Sequence, residues 1–90
     1  MPPEIHISGI AIHTRPAYTK AVRSHLSLIP NAEVHAETED GRLVITLETE
    51  STQQTLDYMD AIRSLQGVLN AVLVYQHAEP ADAMDEEIES

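Results

Sequence analysis

Apolar and polar positions along this chain follow two periods that take turns. From Ile5 to His13 the pattern alternates every second residue: Ser8, Ile10 and Ile12 point one way, and Ile7, Gly9, Ala11 and His13 the other. From Pro16 to Ile29 the spacing becomes helical, with Tyr18, Val22, Leu26 and Ile29, joined by Ala21 and His25, forming one stripe. Pro16 suits a first helical turn, where its missing N–H costs nothing, and Pro30-Asn31 ends the run. Ala32–Glu37 alternates small apolar with polar residues, as an edge strand does. Asp40-Gly41 marks a turn. In Leu43–Thr49, Leu43, Ile45 and Leu47 face one side, and Val44, Thr46 and Glu48 the other. Ser51 and Gln54 have the spacing of a capping box, and Leu56, Met59 and Ile62 give the helix over Thr52–Ser64 an inner stripe. Gly67 closes the next connection, and in the strand Val68–His77 the stretch Val68–Tyr75 is the most apolar, expected to be covered on both faces at least in a complex.

The order is βαββαβ, the pattern of an α+β, ferredoxin-like split βαβ sandwich. Such a fold packs two helices on one face of a four-stranded antiparallel sheet and leaves the other face free for a partner. The bulky Ile10 and Ile12 belong under the helices, which leaves Gly9 and Ala11 on the open face. The halves also echo each other, since Ala21-Val22-Arg23-Ser24 parallels Ala61-Ile62-Arg63-Ser64. Residues 1–77 therefore read as one domain. Residues 78–90 read as a disordered acidic tail, with six acids and no basic residue.

Composition narrows the function. The net charge is −10 with only five Lys and Arg, which argues against nucleic acid. It favours a basic partner instead. There is no Cys, so disulfides, thiolate zinc sites and Cys-bound iron–sulfur clusters are excluded. No apolar run is long enough for a membrane span. The start, Met1-Pro2-Pro3-Glu4, lacks a secretory pattern, so a cytoplasmic location and no stable membrane insertion are expected.

No catalytic or metal constellation stands out. The five His include no HxH or HxxxH pair, and His6 and His13 leave opposite faces of their strand. Asp57 and Asp60 share a helix face but read as solvated carboxylates. An acylphosphatase-type phosphate cradle needs a basic, glycine-rich loop after the first strand, where this chain has Ile12-His13-Thr14-Arg15-Pro16. No cofactor and no enzymatic activity are expected. Val68–His77 and the small residues of the first strand instead suggest a shallow apolar trough with an acidic rim.

Four stretches carry a resemblance to a known family. They are Ile7-Ser8-Gly9-Ile10-Ala11-Ile12-His13-Thr14-Arg15-Pro16; Pro30-Asn31-Ala32-Glu33-Val34-His35; Gly41-Arg42-Leu43-Val44-Ile45-Thr46-Leu47-Glu48; and Gly67-Val68-Leu69-Asn70-Ala71-Val72-Leu73-Val74-Tyr75. Together with Asp60-Ala61-Ile62-Arg63 they cover nearly all of Ile5–His77, and the chain resembles the NapD family, assembly chaperones of periplasmic nitrate reductase. The chain departs from the family pattern at Gly9, where Ser is common, and at Gln76, which separates the Val-Tyr pair from His77.

The resemblance implies a cytoplasmic chaperone that binds the twin-arginine signal peptide of the nitrate reductase catalytic subunit and restrains export until the molybdenum cofactor is inserted. The expected peptide-binding residues are Gly9, Ala11, His13, Val44, Thr46, Glu48, Val72, Val74 and Gln76, with the opposite phase of the last strand, Leu69, Leu73 and Tyr75, left as the alternative to Val72 and Val74. The rival reading is an ACT-like, small-molecule-sensing regulatory module. Those sites use a Gly-containing loop after the first strand, which this chain lacks, and calorimetry with signal peptide against amino acids separates the two.

Overall fold

The computed structural model describes residues 4–80. Four strands and two helices follow in the order β1 (Glu4–Thr14), α1 (Thr19–Leu26), β2 (Ala32–Glu37), β3 (Arg42–Thr49), α2 (Thr52–Arg63) and β4 (Val68–Pro80), with a 3₁₀ turn at Pro16–Tyr18 leading into α1. They form one antiparallel sheet, ordered β2-β3-β1-β4, with both helices on one face. This is the ferredoxin-like α+β sandwich. β1 and β3 lie in the centre, where their strict alternation matches a sheet with one covered face.

The covered face holds the core. Ile10, Ile12, Leu43, Ile45 and Leu47 from the central strands meet Val22 and Leu26 of α1 and Met59 and Ile62 of α2, all essentially inaccessible. Each fully buried aliphatic side chain contributes roughly 1.5–3 kcal/mol of transfer free energy. Nothing aromatic is fully buried; Tyr18 and Tyr58 pack only against the margin.

The buried stripe of each helix differs from the sequence expectation. In α1 the buried residues are Thr19, Val22 and Leu26, while Ala21 and His25 are exposed. In α2 they are Thr55, Met59 and Ile62, and Leu56 is left outside. The cause is the same in both halves. The Thr14 and Thr19 hydroxyls lie 2.7 Å apart, and those of Thr49 and Thr55 lie 2.6 Å apart. Each pair ties the last residue of a central strand to the first turns of the next helix. A threonine can face the core there because its hydroxyl is satisfied. These pairs extend the twofold echo beyond the four-residue repeat at the helix ends.

Turns use the residues that tolerate positive φ. Asn31 (φ 64°) follows α1, Gly41 (φ 95°) sits in the β2–β3 turn and Gly67 (φ 92°) precedes β4. The Gly41 carbonyl accepts from both the backbone N–H and the hydroxyl of Thr14, which locks the β2–β3 turn to the end of β1. Ser51 caps α2 by accepting from the Gln54 N–H at 3.1 Å. Gln54 reaches back to the Glu50 N–H at 2.8 Å, one residue before the position of the standard box. Ser51→Ala is expected to cost about 1 kcal/mol, read as a lower denaturant midpoint with an unchanged slope.

β4 departs most from expectation. It is an edge strand, and among its residues of described burial, 68–78, only Ala71 is buried. Leu69, Val72, Leu73, Val74 and Tyr75 are all exposed. Arg63 anchors it, donating from Nε and Nη2 to the Ala71 carbonyl at 3.2 and 2.9 Å. The strand continues through Pro80, so residues 78–80 are paired with β1 rather than part of a tail; the rest of the acidic stretch, residues 81–90, lies outside the described residues.

Candidate functional site

Residues directly opposite one another across a sheet share a face, so the register assembles the open face row by row. Ile7 lies between Glu48 and His77; Gly9 between Thr46 and Tyr75; Ala11 between Val44 and Val72; and His13 between Arg42 and Asn70. Glu33 of β2 extends the second row beyond Thr46. The face therefore brings together Ala11, His13, Val44, Thr46, Glu48 and Val72 of the expected set.

Bulges in β4 decide the rest. The β1–β4 register shifts between Gly9 and Ile10, so that Val74 becomes an extra residue between Leu73, opposite Ile10, and Tyr75, opposite Gly9. One inserted residue reverses the alternation beyond it. Val74 stays exposed at 57%, and Tyr75, which strict alternation would send beneath the helices, turns onto the open face.

Gln76 is displaced in the opposite sense and does not belong to the open face. It pairs with Ser8 on the covered side, and its Nε2 donates to the Ser8 and Thr55 hydroxyls at 3.3 and 3.4 Å. Gly9 is on the open face but is not bare. The Tyr75 ring lies over it, and a side-chain carbon built at position 9 would collide with the ring. In β2 a bulge at His35 separates Val34, opposite Ile45, from Ala36, opposite Val44, and the His35 Nε2 lies 2.7 Å from the Thr46 hydroxyl.

The acidic rim turns out to be one end of the trough. There, a hollow of about 510 Å³ is bordered by Ile7, Asn31, Glu33, His35, Thr46 and Glu48. At the other end, Ala11, His13, Arg42, Val44, Asn70 and Val72 border a hollow of about 410 Å³. Arg42 at that end is paired with Asp40 at 3.4 Å. The Asp40 carboxyl sits below the usual carboxylate range, chiefly because the Thr38 hydroxyl donates to it, with Arg42 adding to the effect. Val44, Val72 and Val74, with Tyr75, form the exposed apolar strip of the face.

Among the described residues, no three His, Asp or Glu side chains are grouped to hold a metal ion, and no helix is long and apolar enough to cross a membrane. What the face offers is an apolar strip, an aromatic ring and two carboxylates.

The family model for "NapD protein" matches residues 5–80. This chain belongs to the NapD family.

Its NapD relatives include the Chaperone NapD of Paracoccus pantotrophus, 32% identical over 78 residues, which are 87% of this chain and 69% of that protein. The Chaperone NapD of Haemophilus influenzae is 25% identical over 71 residues, 78% of this chain and 76% of that one. A solution structure of the E. coli Tat proofreading chaperone protein NapD superposes with a TM-score of 0.76. It covers 90% of this chain and 85% of that one at 21% identity, so it speaks to the fold. The chain is thus a member of a chaperone family built on this sandwich.

Sequence reasoning missed Glu33 and His35 as open-face residues and held Tyr75 only as part of the alternative phase of β4. Tyr75 and His35 arrive there through bulges, which leave no mark in an apolar or alternating pattern. Glu33 was legible: it alternates with Val34, which packs on the core.

Proposed function

We propose that this NapD-family protein binds the twin-arginine signal peptide of a nitrate reductase catalytic subunit on the open face of its sheet. It holds that precursor in the cytoplasm until the molybdenum cofactor is inserted, and performs no reaction of its own. The observation that carries this reading is the polarity of the face, an exposed apolar strip whose one end bears Glu33 and Glu48. A twin-arginine leader has the complementary layout, a basic segment followed by an apolar one. Desolvating the apolar strip supplies affinity, while the carboxylates steer the basic segment and set its register. The leader would then run with its basic segment at the Glu48 end of β3 and its apolar segment towards Val44 and Val72.

The test is an NMR titration of the isotope-labelled protein with a synthetic leader from a nitrate reductase precursor. Saturable shifts centred on Ala11, Val44, Val72 and Val74 are expected. Shifts confined to α1 and α2 would move the site to the other side of the molecule. A pull-down of the precursor with and without its leader asks the same question of the whole partner.

Charge gives a second check. Glu48→Lys is expected to weaken leader binding roughly fivefold at low ionic strength, about 1 kcal/mol, and to flatten its salt dependence. Calorimetry at two salt concentrations reads both effects, and an unaltered salt dependence would remove Glu48 from the site.

A further inference from the structure

The row that crosses the middle of the open face is Glu33, Thr46, Gly9 and Tyr75, one residue from each strand. Strands lie about 4.8 Å apart, so the two ends of the row are separated by roughly 14 Å of backbone. The Tyr75 ring leans into that gap. It rests on Gly9 by its Cδ1–Cε1 side, in the place where any other residue would put its own side chain. Half of Tyr75 remains accessible, and Thr46, held by His35, lies between it and Glu33. Glu48 stands in the next row, opposite Ile7. Two local features create this arrangement: a glycine that makes room, and the bulge at Val74 that turns the ring outward.

Building on the leader-binding reading above, we propose that Tyr75 is the platform on which a guanidinium of the leader's arginine pair stacks, with Glu48 and Glu33 meeting its charge. The chemistry selects arginine over lysine. A guanidinium is planar and weakly hydrated, lies against an aromatic ring and still presents N–H groups in its plane to a carboxylate. An ammonium is compact and strongly hydrated, so it gains less from the ring. The net charge of −10 attracts basic side chains generally, but it does not distinguish one from the other. Tyr75 supplies that distinction.

The competing role for Tyr75 is structural, an aromatic ring covering a strand glycine. The two roles separate in a double-mutant cycle. Calorimetry compares a synthetic twin-arginine leader with the same peptide carrying Lys at both positions, on the wild type, Tyr75→Phe and Tyr75→Leu, with melting temperatures for each protein. The wild type is expected to prefer the arginine peptide by about threefold. Tyr75→Phe keeps that preference and Tyr75→Leu loses it.

A wild type that binds both peptides equally overturns the platform, as does a Tyr75→Leu variant that keeps the full preference. Should Tyr75→Leu fail to fold, the wild-type and Tyr75→Phe preferences still decide. A wild type that binds neither peptide sinks the leader reading itself; binding without arginine preference sinks only the role of Tyr75.

Discussion

Gly9→Trp is expected to abolish leader binding while the protein stays folded. The substitution acts twice at one point. It evicts the Tyr75 ring from the surface of β1, and it raises a large side chain in the middle of the row that joins Thr46 to Tyr75. Both changes fall on the open face, so the core beneath Ser8 and Ile10 is untouched. The backbone at Gly9 is not in the left-handed region, where among the described residues Gly41, Gly67 and Asn31 lie, so a β-favouring residue is tolerated there. The expected loss in affinity is about a hundredfold, near 2.7 kcal/mol. The expected change in stability is below about 1 kcal/mol, measured by thermal melting. Gly9→Ala is a graded version, because even a single carbon meets the ring, and a smaller loss should follow. If Gly9→Trp binds the leader as the wild type does, the peptide lies elsewhere. The flank where Leu56, Leu69 and Leu73 line a hollow between α2 and β4 is then the next place to look.

The difference between β3 and β4 shows what a sequence can specify. β3 alternates cleanly, Leu43, Ile45 and Leu47 against Val44, Thr46 and Glu48, and every one of its side chains is on the face that alternation assigns. The pattern works because one face is dry and the other wet, and a slip of one residue would bury a charge. In β4, Ala71-Val72-Leu73-Val74-Tyr75 is apolar throughout. Either phase of such a strand satisfies the hydrophobic pattern, so phase is set by pairing with β1, and pairing introduces bulges that composition does not announce. Gln76 was misplaced for that reason alone. The family resemblance, carried by stretches in all four strands, was legible without β4's phase.

A different limit applies to the helices. Leu56 is apolar and suitably spaced, yet the core takes Thr55, because Thr49 offers its hydroxyl a partner. Burial of a threonine depends on a residue in another element, and helical periodicity carries no information about it. The second pair, Thr14 with Thr19, follows the same rule. The recurrence of a strand-end threonine with another a few residues later, once in each half, was a readable signal. It would have been stronger evidence of the twofold echo than the repeat at the helix ends.

Neighbouring substitutions in β3 should give opposite phenotypes, and this is the sharpest test of which face does what. Ile45 is fully buried, and it pairs with Ile10 on one side and Val34 on the other. Ile45→Ala removes its apolar contacts from the centre of an aliphatic core that has no buried aromatic to shift into the gap, so a cost of about 3–4 kcal/mol is expected. For a domain of this size that corresponds to a fall in melting temperature of roughly 15–25 °C, a large share of a total stability of about 5–15 kcal/mol. Val44, the adjacent residue, is 42% exposed between Ala11 and Ala36. Val44→Ala should change stability by no more than about 0.5–1 kcal/mol, while weakening leader binding on the order of threefold to fivefold through lost apolar contact. Thermal melting and calorimetry on both variants measure the two axes separately. If Val44→Ala unfolds the protein and Ile45→Ala spares it, the covered and open faces have been exchanged. If both variants melt near the wild type and bind the leader equally well, β3 contributes neither to the core nor to the surface on which the chaperone reading depends.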